Sequence, residues 1–390
     1  MLLFLHHLLE YGLHFERRFD PWFRPGFDAL FRMPLTRFFN WTINLTRSHD
    51  VPPIAGEHID DDEDVSLDAI IAEMQRHLDQ DFTPGNYERA GNTKTHGLVR
   101  ATFTVLPNLP EHVRHGVFAV ERSFPAWVRF SNPGPHTEPD IDDVGFGSMS
   151  VKLMDVPGPK LMDDEQFTQD FTSVTVITFP TPDTRANADL QYWSRREMGV
   201  WYFINFQRPH LRDFIMQSLW NRTLANPLAN EYFSCVPYLL GEGQAMQYSF
   251  HPLTRVSTRI PWLPLRPGDN YIRDNLAASL RQGDAKFEMR LRLQKDPFLQ
   301  PIEQGGVLWD PAHTPYIPVA HITIPAQEFQ TAAQFEYARL LTWNPWHCVP
   351  EHRPLGNQNR ARKRLYFEMS RYRQAKNGEQ HVEPTGKETF

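Results

Sequence analysis

Cysteine is nearly missing from this chain: its 390 residues carry only Cys235 and Cys348, which excludes a disulfide framework and makes a reducing, cytoplasmic compartment the simplest expectation. Long hydrophobic runs are lacking too. The opening Met1–Leu9 is apolar but breaks at Glu10, short of a membrane span, and has neither the basic flank nor the small-residue cleavage site of a secretory signal. Basic charge is not in excess: the net charge is −7, which argues against a general affinity for nucleic acid. Glycine-rich phosphate loops, internal repeats and low-complexity tracts do not occur.

What the chain has in quantity is proline, 33 residues, and aromatic side chains, 13%, which point to long packed loops and aromatic-lined cavities rather than a helical bundle. Hydrophobic content of 41% and charged content of 22% fit a folded soluble protein, long enough for one large β-rich unit with appended helices. Near the N-terminus Phe15, Phe19, Trp22, Phe23, Phe27, Phe31, Phe38 and Trp41 recur at mostly three- and four-residue steps. Arg17, Arg18, Arg24, Arg32 and Arg37 are interleaved with them. This pattern predicts one or two amphipathic helices broken near Pro21 and Pro25. Two readings are open for the stripe: helices packed on the protein's own body, or a contact through residues 1–45 with a membrane periphery or a second copy in a homo-oligomer.

An acidic run, Asp60 to Asp64, reads as a solvated boundary between an arm, residues 1–60, and a main domain, residues 61–390. A helix is predicted from Leu67 to Leu78. Strand signals follow at Gly97–Val105, Ala126–Phe130, Ser148–Met154 and Thr172–Phe179. Residues 184–230 read as a helical insertion; strands resume around Gln247–Phe250, Lys286–Leu293 and Pro315–Ile324. Helical character returns from Gln334 and from Asn359. The order predicts an α+β chain with a helical arm, a β-rich body with a helical insertion, and a helical C-terminus. His347, Cys348 and His352 match no strong zinc spacing and read as a surface loop; His6, His7, His112 and His115 likewise read as surface residues.

Tyr366 is the residue with most to say about chemistry. It lies in the run Arg360–Tyr366, with Arg371 and Arg373 just beyond and Arg362 one helical turn before it. A phenolate makes a good iron ligand where a neighbouring positive charge keeps it deprotonated, and tyrosine is a known proximal haem ligand. An isolated R-x-x-x-Y also describes a basic surface helix, so the upstream segments matter. Those are His96-Gly97 at the entrance to a strand, Val128-Arg129-Phe130-Ser131, Val144 to Lys152, and Gln169 to Thr175.

Together these segments, from about residue 85 to 375, resemble the catalase-like haem superfamily. They are closest to its smaller members, of the catalase-related hydroperoxidase and allene oxide synthase kind. The resemblance implies a catalase-type antiparallel β-barrel with a helical insertion, C-terminal helices and an N-terminal helical arm, and haem b as cofactor. His96 corresponds to the distal histidine, Ser131 to the residue orienting it, and Arg129 to a propionate-binding arginine. Tyr366 corresponds to the axial ligand, Arg362 to its positive partner, and Arg371 and Arg373 to the trailing propionate arginines. Phe179 is implied as a haem contact.

Two departures stand out. Thr175 occupies the place of the catalase distal asparagine, putting a shorter hydroxyl where an amide would bind peroxide, and Asn92 stands where some relatives carry their histidine. The barrel also lacks the long wrapping arms of full-length catalases. An open pocket and the apolar arm then favour an organic hydroperoxide, such as that of a fatty acid, as substrate. Reduction and isomerisation both remain open. Hydrogen peroxide dismutation is the competing activity, and haem binding without turnover is the non-catalytic alternative.

Overall fold

Strand alternation builds the core. In β1 (Thr95–Val105) the residues Val99, Ala101, Phe103 and Val105 fall on one face, and in β8 (Ala285–Leu293) Phe287, Met289, Leu291 and Leu293 do the same. The computed structural model, which describes residues 2–390, joins these faces with β2 (Ser123–Ser131), β3 (Ser148–Leu153), β4 (Gln169–Val174), β5 (Tyr232–Phe233), β7 (Ala245–Pro252) and β9 (Ile317–Ile324). The order is β5-β4-β3-β2-β1-β9-β8-β7, and β5 closes the ring by pairing Val174↔Phe233 on one side and Tyr232↔Phe250 on the other. The result is a closed eight-stranded antiparallel barrel. A short strand, β6 (Tyr238–Leu239), hangs on β7 outside the ring. A barrel of this size is filled by its own side chains, and each fully buried Phe contributes about 1.5–3 kcal/mol. The chain belongs to the α+β class that its alternation predicts.

Helices cover the barrel. α4 (Glu63–Asp81), α5 (Thr184–Ser194) and α10 (Asn357–Asn377) pack together through Leu67, Ile70, Leu78, Leu365 and Met369. α8 (Tyr271–Gln282) and α9 (Ala332–Leu340) lie against β1. Gly97 is where that close approach is felt, since a Cβ there would meet Phe329 at 2.7 Å and Leu276 at 2.9 Å.

Several sequence expectations change. The helical insertion is three short helices, α5, α6 (Gly199–Ile204) and α7 (Leu211–Trp220), and residues 221–226 run as loop. The strand expected to reach Phe179 ends at Val174, just before a last in-register hydrogen bond from the Thr175 N–H to the Gly147 carbonyl. His347, Cys348 and His352 are buried, not on a surface loop. His347 lies among Asp164, Glu165 and Asp170, with Lys152 between the last two, so opposite charges from distant segments compensate what the local sequence reads as surface. His6 is buried as well. Within the acidic run, Glu63 pairs with Arg360 and Asp62 with Arg185, so the run is partly tied down.

The arm comprises α1 (Leu2–Arg17), α2 (Asp20–Phe27) and α3 (Met33–Asn44). Pro21 opens α2, where a missing N–H costs nothing, while Pro25 sits inside it and is followed by a widened π-helical turn, Asp28–Arg32, that carries the chain on without a break. One face of the arm belongs to the body. Phe27, Met33, Leu35, Phe39 and Ile43 pack on Met216, Leu219 and Trp220. The buried Trp220 indole donates to Thr36 at 3.2 Å, Thr223 donates its hydroxyl to the Arg17 carbonyl at 2.6 Å, and Arg37 bridges to Asp310 at 2.7 Å. The opposite face exposes Phe4, Leu8, Tyr11, Phe15, Trp22, Phe31, Phe38 and Trp41. Deleting residues 1–45 uncovers the Trp220 cluster and orphans its hydrogen bonds. Thermal unfolding followed by circular dichroism is expected to show a melting point lower by several degrees, or aggregation; an unchanged melt would mean the anchoring face contributes nothing.

Candidate functional site

α10 is fixed at its start by carboxylates. The Glu57 and Glu303 side chains accept the Gly356 and Asn357 backbone N–H groups at 2.9 and 2.6 Å, where the helix end is positive. Both also bind Arg360, at 2.7 and 3.0 Å. Burial opposes ionisation of Glu57, but the Gly356 N–H, Arg353 and Arg360 outweigh it and hold the carboxyl below its ordinary range.

With that end anchored, 3.6 residues per turn put Arg362, Tyr366 and Arg373 within one stripe of α10. Arg371 falls on the opposite side, exposed, with its guanidinium 5.3 Å from the Phe367 ring. The pairing of Arg371 with Arg373 expected from sequence is therefore not made: two residues' separation on a helix turns a side chain by over half a revolution. The Arg362 guanidinium lies 5.8 Å from the Tyr366 ring centroid and 5.3 Å from that of Phe179, and Nη1 donates to Asn359 Oδ1 at 3.1 Å. Burial pushes the Arg362 pKa down, but the hydroxyls of Tyr366, Tyr238 and Tyr248 push harder and raise it. Arg362 thus remains a fixed cation beside the Tyr366 phenol.

Arg373, two turns on, belongs to a group of guanidiniums. Arg129 is buried on β2, and all its hydrogen bonds go to neutral oxygens: Thr95 Oγ1 at 2.7 Å, Ser131 Oγ at 3.1 Å and the Asn92 carbonyl at 2.5 Å. Burial first, then Arg373, lowers its pKa to about 9. Arg373 donates to the Arg339 carbonyl, and Arg89 to the carbonyls of Ala338 and Leu341 at 2.7 and 2.5 Å. Among the described residues none of the three forms an ion pair; only the more distant field of acids such as Glu88 and Glu379 acts on them. Buried cations without a counterion are costly by several kcal/mol, so the group is built to receive an anion.

His96 sits one residue from Thr95, the hydroxyl that holds Arg129. The β1–β2 register slips between Thr95 and Gly97, so His96 is the bulged residue and its side chain is re-aimed out of the ladder. Its Nε2 lies 2.7 Å from Asn132 Oδ1. An amide oxygen only accepts, so Nε2 carries the proton and Nδ1 keeps its lone pair. Nδ1 is buried without a hydrogen-bond partner, 3.8 Å from Asp140. Burial pushes the His96 pKa down to about 3, leaving the ring neutral. The Asn132 amide neighbours the buried Asp143, whose pKa is raised by burial despite the Val144 N–H and Asn132. Ser131 was expected to orient His96; its Oγ instead accepts from Arg129, and Asn132, the next residue, holds the ring. Thr175 Oγ1 accepts from the Gly147 N–H at 3.0 Å, which leaves its own proton free to donate. Asn92 takes the left-handed backbone conformation (φ 53°) and serves Arg129 through its carbonyl, while its Oδ1 is unpartnered.

The predicted residues thus fall into linked groups. Arg362, Tyr366 and Phe179 meet; Arg129 and Arg373 act on one another electrostatically; Arg129 also reaches Thr95 and Ser131 beside His96. Arg89, Asn132 and Asp143 were missed. Arg89 lies seven residues before His96, with no local signal, whereas Asn132 is adjacent to a residue already singled out.

No family model and no curated protein matches the chain. Solved structures do. It is similar to a fungal catalase (14% identity, TM-score 0.59, covering 84% of this chain and 66% of that one) and to catalase A from Saccharomyces cerevisiae (14%, 0.59, 84% and 68%). A bacterial catalase also matches (15%, 0.52, 84% and 64%). The chain has a catalase-like fold and spans about two thirds of the length of these proteins. The haem implied by the sequence resemblance fits the residues present: the unpaired arginines suit its two carboxylates, and the Arg362–Tyr366 pair suits its iron.

Burial of neutral histidines sets an acid limit. His96 and His352 are both pushed to about 3 by burial, against 6.5 in the unfolded chain. Between those values the unfolded state binds more protons, so stability falls as pH drops from 6.5, by up to about 1.4 kcal/mol per pH unit for each group. Urea denaturation between pH 7 and 4.5 is expected to show a falling midpoint, with His352→Gln flattening the fall. A midpoint independent of pH would contradict the burial of these rings.

Proposed function

We propose that this chain is a haem-dependent hydroperoxidase acting on organic hydroperoxides, those of fatty acids in particular. The observation that carries the reading is a group of unpaired arginines, Arg129 and Arg373 buried and Arg89 half-buried, of which Arg373 shares a helix stripe with a phenol that has its own arginine. Arg129, Arg373 and Arg89 would receive the two propionates of haem b, and Tyr366 would supply a phenolate to its iron, stabilised by Arg362. When bound, the haem supplies a ferric centre that cleaves the peroxide O–O bond, and a phenolate ligand favours that cleavage by donating electron density.

The chain's own residues manage protons. His96 takes the peroxide proton at Nδ1, the nitrogen left bare by the Asn132 hydrogen bond, and returns it to the departing oxygen. Asn132 fixes the tautomer for this, with Asp143 behind it. Thr175 donates a single hydrogen bond to the substrate, where an amide would hold small hydrogen peroxide more firmly. That difference supports an organic substrate over dismutation. The exposed aromatic face of the arm supports the same choice, because Trp22, Trp41 and Tyr11 suit the headgroup level of a lipid surface, from which an apolar hydroperoxide would enter.

Two variants and a pair of assays on the parent protein test this. Tyr366→Phe is expected to lose the haem or its phenolate spectrum, while His96→Ala keeps the pigment and loses peroxide cleavage by about a hundredfold or more. Oxygen release from hydrogen peroxide, assayed beside loss of a fatty acid hydroperoxide, is expected to be the slower reaction. Vigorous oxygen evolution without organic turnover would make the chain a catalase, and product analysis would separate reduction from isomerisation.

A further inference from the structure

The geometry points to a divalent-metal site formed by His77, Asp81 and His136, distinct from the residues that would hold haem. His77 and Asp81 stand one turn apart on the last turns of α4, and so share a face. His136 comes to them from the β2–β3 connection. Asp81 Oδ2 lies 3.2 Å from His77 Nε2 and 3.4 Å from His136 Nδ1, and all three ligand atoms fall within 4.8 Å of one another. Zinc bonds of about 2.1 Å in a tetrahedron place neighbouring ligand atoms about 3.4 Å apart. His77 Nε2 is buried and makes no hydrogen bond despite its nearness to the carboxylate, so its lone pair is available to an ion at the centre of the three. The two imidazoles are set edge to face, with centroids 5.0 Å apart.

Two nitrogens and one carboxylate suit Zn²⁺ or Co²⁺ rather than Ca²⁺ or Mg²⁺, which prefer oxygen. Asp81 and His136 are 31% and 38% exposed, which leaves one side open for entry and for a water as fourth ligand. Arg195 faces Asp81 from α5's end and opposes a cation there, so the affinity is that of an exchangeable site rather than a permanent one. The connection that supplies His136 also carries Asn132, Asp140 and Asp143, the groups around His96. A metal would staple that connection to α4, and occupancy would bear on how firmly His96 is held.

The inference needs no haem and is tested without it. Full-length protein stripped with a chelator is titrated with Co²⁺ and with Zn²⁺, and the bound metal is counted at equilibrium with free metal, by equilibrium dialysis. One ion per chain with a visible tetrahedral Co²⁺ band is expected. His136→Ala and Asp81→Asn should each lower Zn²⁺ affinity at least tenfold while the circular dichroism spectrum is retained, and His7→Ala should not. Unchanged affinity in both variants would overturn the assignment, as would the absence of a tetrahedral Co²⁺ band in the parent protein.

Discussion

The rest of the site depends on a charge that the chain leaves unmatched. Arg129, Arg373 and Arg89 are drawn from β2, from α10 and from the segment before β1, and all three rest on neutral oxygens. Elsewhere the same protein balances its buried charges closely, as at Lys152 between Glu165 and Asp170. The contrast gives the arginine group its meaning: a fold that can compensate a buried lysine has left these cations for an outside anion. Because Arg129 also holds Thr95, the residue before His96, the proposed anion site and the histidine proposed to handle protons are tied to one guanidinium.

Position rather than strength defines His96. A bulge at one point of an otherwise regular ladder turns its ring out of the sheet, and Asn132 fixes which nitrogen carries the proton. Burial keeps the ring neutral, which a base requires and which costs stability in acid. Such local departures from regular structure are where function collects in an otherwise consistent fold.

The strands were legible in the sequence because their inner residues repeat every second position, their closure into a barrel only through the resemblance, and the stripe of α10 because Arg362 and Tyr366 are one turn apart. Arg371 misled for a reason the helix period itself supplies: it lies five residues beyond Tyr366, on the other side. Arg89 and Asp143 could not be read, since only the closed barrel brings segments before β1 and before β3 to the arginines and to His96. The stretch His347–His352 looked like surface because the charges that compensate His347 come from residues nearly two hundred positions away, and His352 is held by the backbone of His115 and Val117. Neither of the two readings of the arm was complete, since one face packs on Trp220 while the other presents aromatics to solvent.

The central claim is that the buried arginines exist to bind the two carboxylates of haem. The most direct test compares binding of haem b with that of its dimethyl ester, which keeps the ring and iron but carries no carboxylate charge, to the same haem-free protein. The account predicts that esterification weakens binding by at least a hundredfold in the parent protein and by far less in Arg129→Leu. Equal affinity for the two forms in the parent protein would contradict it.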